Sequence, residues 1–118
     1  MRGLTVIVTA PGRLRPALEL AAAKAALGAR VRLFLQGDAV GALRPPVAEA
    51  DDDRFRAAGL PALAQLLEEA LALNVRVIAC QTGLDLAGLA ATALDRRISY
   101  GGLVSLMLDL DDDRLVAL

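Results

Sequence analysis

Short apolar runs alternate along the chain with longer segments of helical spacing. Residues 5–9 form a compact β-branched run closed by Ala10-Pro11-Gly12, which predicts a first strand. Pro16 suits the first turn of a following helix that carries Leu18, Leu20, three successive alanines, Lys24 and Leu27 and stops at Gly28. Residues 30–36 predict a second strand, alternating at Val31 and Leu33 and then fully apolar at Phe34 and Leu35. Gly37-Asp38 ends it, with Asp38 as the cap of a short helix over 39–43. The stretch from Arg44-Pro45-Pro46 through Asp51-Asp52-Asp53 to Gly59 predicts a long loop with one helical turn near 54–57.

Pro61 opens the most amphipathic helix, with Leu63, Leu66, Leu67, Ala70 and Leu71 on one face and Gln65, Glu68 and Glu69 on the other. Asn74 is placed as a left-handed cap before a third strand over 75–79. A helical pattern over 84–94, a strand at Ile98-Ser99-Tyr100 and a tight turn at Gly101-Gly102 follow. A helix over 103–110, a connector at Asp111-Asp112-Asp113 and a last strand over 114–117 complete the chain. Strands that alternate with helices argue for one α/β domain spanning 1–118: about five mainly parallel strands with helices on both faces. Right-handed crossovers narrow the winding to a flavodoxin-like or Rossmann-like order.

Composition agrees with that class. Of the 118 residues, 56% are apolar and only 3% aromatic, so the apolar mass is Ala, Leu and Val, which suits helices packed on a sheet. The formal net charge of −1 and the scattered arginines leave no basic footprint for nucleic acid or anionic lipid. No apolar stretch reaches the roughly 18 residues of a membrane span, and the first apolar run is too short for a secretory signal. The sequence reads as a soluble, cytoplasmic protein.

The chemistry available is narrow. The chain has no histidine and one cysteine, which removes Ser-His-Asp and Cys-His catalysis, internal disulfides and any His-containing metal site. Neither acidic triplet has the spacing of a calcium loop, and both read as solvated turns. No GxGxxG or P-loop motif is present, so neither metal nor cofactor is expected. In a parallel sheet, ligands gather outside the carboxyl ends of the strands. That rule collects Thr9 and Gly12 after the first strand, Gln36 and Gly37 after the second, Cys80, Gln81 and Thr82 after the third, and Tyr100 and Gly101 after the fourth. Tyr100 packs at the crevice mouth or at an interface in this reading.

Cys80 is the candidate reactive group. Thr82 with Asp85 three residues on resembles a capping box that would start a helix at about 83, leaving Cys80 just before a helix N-terminus where N–H groups favour a thiolate. Asp85 opposes this with its negative charge. The alternative is a small, buried and inert cysteine.

The run Val77-Ile78-Ala79-Cys80-Gln81-Thr82-Gly83-Leu84, with Gly88-Leu89 and Tyr100-Gly101-Gly102-Leu103 after it, resembles the DsrE/DsrF-like (TusD-like) sulfur-relay family. Residues 31–40, from Val31 through Gln36-Gly37-Asp38 to Val40, are similar to that family's second strand and the turn after it. The resemblance implies a flavodoxin-like sheet, assembly as a homo-oligomer (trimer or hexamer), and a sulfurtransferase or sulfur carrier in which Cys80 holds sulfane sulfur as a persulfide between a donor and an acceptor protein. Where the family often carries a basic residue before a glycine, this chain has Ala87 before Gly88. Two other readings stay open: a non-catalytic oligomeric module that binds a ligand or partner beside an inert Cys80, and a redox sensor that acts through oxidation of Cys80. The low charge and apolar helix faces independently predict self-association.

Overall fold

A computed structural model describes residues 1–118. Five strands form one wholly parallel sheet in the order β4-β3-β2-β1-β5: β1 (Leu4–Val8), β2 (Val31–Leu35), β3 (Arg76–Cys80), β4 (Ser99–Gly101) and β5 (Arg114–Ala117). The helices are α1 (Leu14–Ala26), α2 (Asp52–Ala57), α3 (Leu63–Ala72), α4 (Gln81–Ala87) and α5 (Leu103–Leu108), with 3-10 turns at Pro11–Arg13, Gly37–Leu43 and Ala91–Ala93. The α/β, flavodoxin-like class is the one the sequence predicts.

The winding explains how the faces are covered. From β1 to β4 the chain steps in one direction across the sheet, so right-handed crossovers lay their connecting helices on one face. The return from β4 to β5 runs the other way and puts α5 alone on the opposite face. The first face is therefore sealed. Val6, Val8, Leu33, Leu35, Val77 and Ala79 pack with Leu14, Leu18 and Ala21 of α1 and Leu63, Leu66, Leu67 and Ala70 of α3 in one cluster of 22 buried residues. The second face holds a cluster of four, Ile7, Phe34, Ile78 and Leu106, of which only Leu106 comes from a helix.

Period-two alternation makes the second face a set of rows. Pairing Thr5 with Arg32 and Arg32 with Arg76 gives a polar row at the start of the strands. Ile7, Phe34, Ile78 and Ser99 form the middle row. Cys80 opposite Gly101 begins the row at the carboxyl ends.

Several boundaries differ from the sequence reading. The helix expected over 84–94 starts at Gln81 and stops at Ala87, because Gly88 turns left-handed (φ 65°) and its N–H bonds back to the carbonyls of Asp85 and Leu84. The third strand is displaced by one residue to include Cys80, and Gly101 belongs to β4 instead of a turn. Residues 37–43 form a 3-10 turn with no side-chain cap from Asp38. Asn74 does take the left-handed conformation (φ 63°) and Pro16 does lie in the first turn of α1.

Both acidic triplets depart from the solvated turns expected of them. Asp52 and Asp113 are buried. Asp52 Oδ1 accepts the N–H of Leu63 at 2.9 Å and Oδ2 that of Glu49 at 3.1 Å, which ties the long loop to the start of α3. Arg15, buried on α1, lies 3.8 Å from the Phe55 ring centroid and donates to Glu49 at 3.0 Å, to the Pro61 carbonyl at 2.9 Å and to Asp52 at 3.5 Å. The loop between β2 and α3 is thus fastened by ions at its centre.

Candidate functional site

Cys80 ends β3 and is also the N-cap of α4, so strand and helix meet at the thiol with no residue between them. That junction depends on Gly83. A Cβ there would collide with the Gly37 carbonyl oxygen and the Val40 side chain, so only glycine lets the first turn of α4 seat against the 37–43 turn. The same contact brings the Gly37 and Gly83 backbones to one sulfur. The expected Thr82–Asp85 capping box does not form: α4 begins two residues earlier, with Cys80 at the cap position and no side-chain cap bond.

Burial pushes the Cys80 thiol up, and the half-buried sulfur touches both apolar clusters. The backbone N–H groups of Gly83, Gly37 and Thr82 and the Thr82 hydroxyl act against burial and together leave the thiol below its ordinary value. They act as a cradle of partial charges and not as closed hydrogen bonds. The groups that lower it most are all neutral: three backbone N–H groups and one hydroxyl. Arg44 donates to the Ala87 carbonyl at 2.7 Å, bringing a cation to the C-terminal end of α4 from another element.

An open crevice of about 300 Å³ lies over the sulfur, lined by Gln36, Gly37, Cys80, Gln81, Thr82, Gly102 and Leu103. Five of the nine residues picked from the sequence meet there: Gln36, Gly37, Cys80, Gln81 and Thr82. The other four do not line it. Thr9 lies beyond β1, two strands from β3, and its hydroxyl donates to the Leu118 carbonyl at 2.8 Å. Gly12 sits in the exposed 3-10 turn after β1. Tyr100 is 58% exposed and faces a shallow groove beside Gln81, Leu84 and Asp85. Gly101 pairs with Cys80 in the sheet and borders the neighbouring pocket. Strand order accounts for Thr9 and Gly12: β2 lies between β1 and β3, so the end of β1 stands away from the crevice over Cys80.

Gly102 and Leu103 were not among the picks. In the sequence Gly102 reads as half of a turn and Leu103 as the first apolar position of a helix, and both belong to the family-like run Tyr100–Leu103 without being assigned to the crevice. That helix carries an uncovered apolar surface of its own, with Leu103, Val104, Met107 and Leu108 all exposed. The structure has no group of three or more side chains able to hold a metal ion, and no helix long and apolar enough to cross a membrane.

Comparison with known proteins places the chain. A search of the curated proteins gave no match. Among solved structures, the crystal structure of the ychN protein from E. coli is similar over 100% of both chains, at 26% identity and a TM-score of 0.71. The sequence pattern of the DsrE/DsrF-like family matches residues 2–116, nearly the whole of the chain. The chain described here belongs to the DsrE/DsrF-like family.

Proposed function

We propose that this protein is a small sulfur-relay protein that carries sulfane sulfur on Cys80. Family membership supports the general role. The observation that carries the finer reading is the Cys80 thiol, lowered by backbone amides at the floor of an open crevice. In the first transfer the Cys80 thiolate attacks the outer sulfur of a donor persulfide. The Cys80 S–S bond forms, the donor S–S bond breaks, and the donor leaves as a thiolate. In the second, an acceptor thiolate attacks the outer sulfur of the Cys80 persulfide, and Cys80 returns to thiolate. Each step exchanges one S–S bond for another, with no net electron, metal or general base required. The cradle amides stabilise the negative sulfur in the resting thiolate and again as it departs. Gln36, Gln81 and Thr82 border the space in which a donor or acceptor sulfur would lie. A reducing, cytoplasmic setting suits such a carrier.

Incubation with a persulfide donor, read by intact mass, should add one sulfur to the wild type and none to Cys80→Ser. No mass gain in the wild type, or the same gain in both proteins, would end the proposal. The rate of alkylation against pH should have a midpoint below that of free cysteine. A second reading, a non-catalytic binding module, draws on the contact of Cys80 with both apolar clusters. It requires a thiol that resists alkylation in the native protein.

We also propose that the chain self-associates through α5, as a trimer or hexamer, because Val104 and Leu108 are 76% and 78% exposed side by side. Light scattering at micromolar concentration should give a multiple of the chain mass, and Val104→Glu should reduce it. A wild-type monomer would refute this.

A further inference from the structure

The polar row at the start of the strands is occupied by groups that the Cys80 chemistry does not use. Arg32 lies on the sheet with its side chain 5% exposed. Its Nε and Nη2 both donate to the Thr5 hydroxyl, at 3.1 and 2.9 Å, and Nε lies 3.7 Å from Asp113. These contacts fix the plane of the guanidinium. Its remaining nitrogen, Nη1, has no partner in the protein yet is not sealed away, and the space that Arg32 lines is a cavity of about 80 Å³ beneath α5. A single water takes about 30 Å³, so the cavity has room for a larger polar guest.

The rest of the lining suits an anion. Arg76, the next residue of the row, borders the cavity, and its side chain makes no hydrogen bond or ion pair within the protein. Ser99 from β4 and Ser105 from α5 add hydroxyls that bond to no other side chain. One carboxylate, Asp109, also borders it, so two guanidiniums face one negative group. Asp113 adds a second carboxylate from behind but is bonded by Arg30 at 3.0 Å and Thr5 at 2.9 Å, and Arg30 brings a third cation.

We propose that the cavity lined by Arg32, Arg76, Ser99 and Ser105 is a binding site for a small oxyanion group, of the sulfate or phosphate class. Arg32 supplies a buried, pre-oriented donor, Arg76 a mobile one that closes from the rim, and the serines complete a mixed donor set. Burial chiefly, then Arg30 and least of all Arg76, push the Arg32 guanidinium down, against Asp113 and Asp109, which push it up. An anion would offset the cost of burying that charge. The site is distinct from the sulfur crevice, Gly102 being the one residue that lines both: Arg76 and Cys80 lie four residues apart on one strand, about 13 Å, with Ile78 and Leu106 between the two spaces.

The test is calorimetric titration of the full chain with inorganic phosphate and sulfate, against chloride at equal ionic strength. One anion per chain should bind, with chloride giving no saturable heat. Arg76→Ala, a change at an exposed and unpaired residue, should weaken binding by about tenfold or more. Asp109→Asn should tighten it several-fold, and Cys80→Ser should leave it unchanged. Phenyl phosphate that binds like phosphate would assign the site to an oxyanion carried on a larger molecule. Its exclusion would assign it to the free ion. Heats for phosphate and sulfate no different from chloride, or wild-type affinity in Arg76→Ala, would overturn the proposal.

Discussion

Two runs of three aspartates, Asp51–Asp53 and Asp111–Asp113, look the same in the sequence and are built alike in one respect only. Each gives up one carboxylate to the interior and leaves the other two outside. The buried member differs in position and in task. Asp52, the middle residue, spends its oxygens on backbone N–H groups and so fixes where a loop meets α3. Asp113, the last residue, takes the Thr5 hydroxyl and the Arg30 guanidinium and so holds the charge of Arg32 in the polar row of the sheet face. One carboxylate organises chain geometry and the other organises charge. Loss of either carboxylate strips a buried donor of its acceptor, but at Asp113 the donor left behind is a charged guanidinium at 5% exposure.

That difference sets the order of effects. Asp113→Ala should be the most damaging change, about 3–5 kcal/mol, because it removes the one carboxylate paired with the buried Arg32. Urea midpoints measure it, and a loss no larger than that of Asp52→Asn would erase the distinction.

Asp52→Asn should cost less and should show its effect in the pH dependence. The Leu63 N–H chiefly, with the Glu49 N–H, holds the Asp52 carboxyl below the usual range against the opposing effect of burial. A folded value below the unfolded one, about 3.9, means that this stability is full above the unfolded value. It is lost as pH falls through the folded value. The acid side of the wild-type stability curve should therefore be steeper than that of Asp52→Asn, and parallel curves would contradict the assignment.

The smallest effect belongs to Asp53→Asn. Its side chain is 99% exposed and its pair with Arg56 lies in open solvent, so the urea midpoint should stay within error of wild type.

The sequence carried the sheet because strand signals are local: β-branched runs ending at Gly37, or bounded by a left-handed Asn74, need no distant information. It carried Cys80 because a lone thiol at a strand end is visible by itself. It missed Asp52 and Asp113 because their partners are remote. Thr5 and Asp113 are 108 residues apart and pair only through the β1–β5 contact. Thr9 and Gly12 were placed at the crevice by the carboxyl-end rule, which says which edge of the sheet matters but not which strands are neighbours. The start of α4 was misplaced for a local reason. Thr82 and Asp85 offered a cap, but Gly83 has to press against the Gly37 turn, and that packing draws the helix start back to Gln81.

Helix α5 is held to the sheet by one buried side chain, Leu106, and its six residues roof Cys80 at one end and the arginine row at the other. Local opening free energies follow buried contact, so in the unassociated chain the amides of α5 belong to the fast-exchanging part of the molecule while those of β1 and β2 report global unfolding. Each such excursion would uncover both ends together. The two spaces that α5 separates in the closed state therefore share a single opening event and a single timescale.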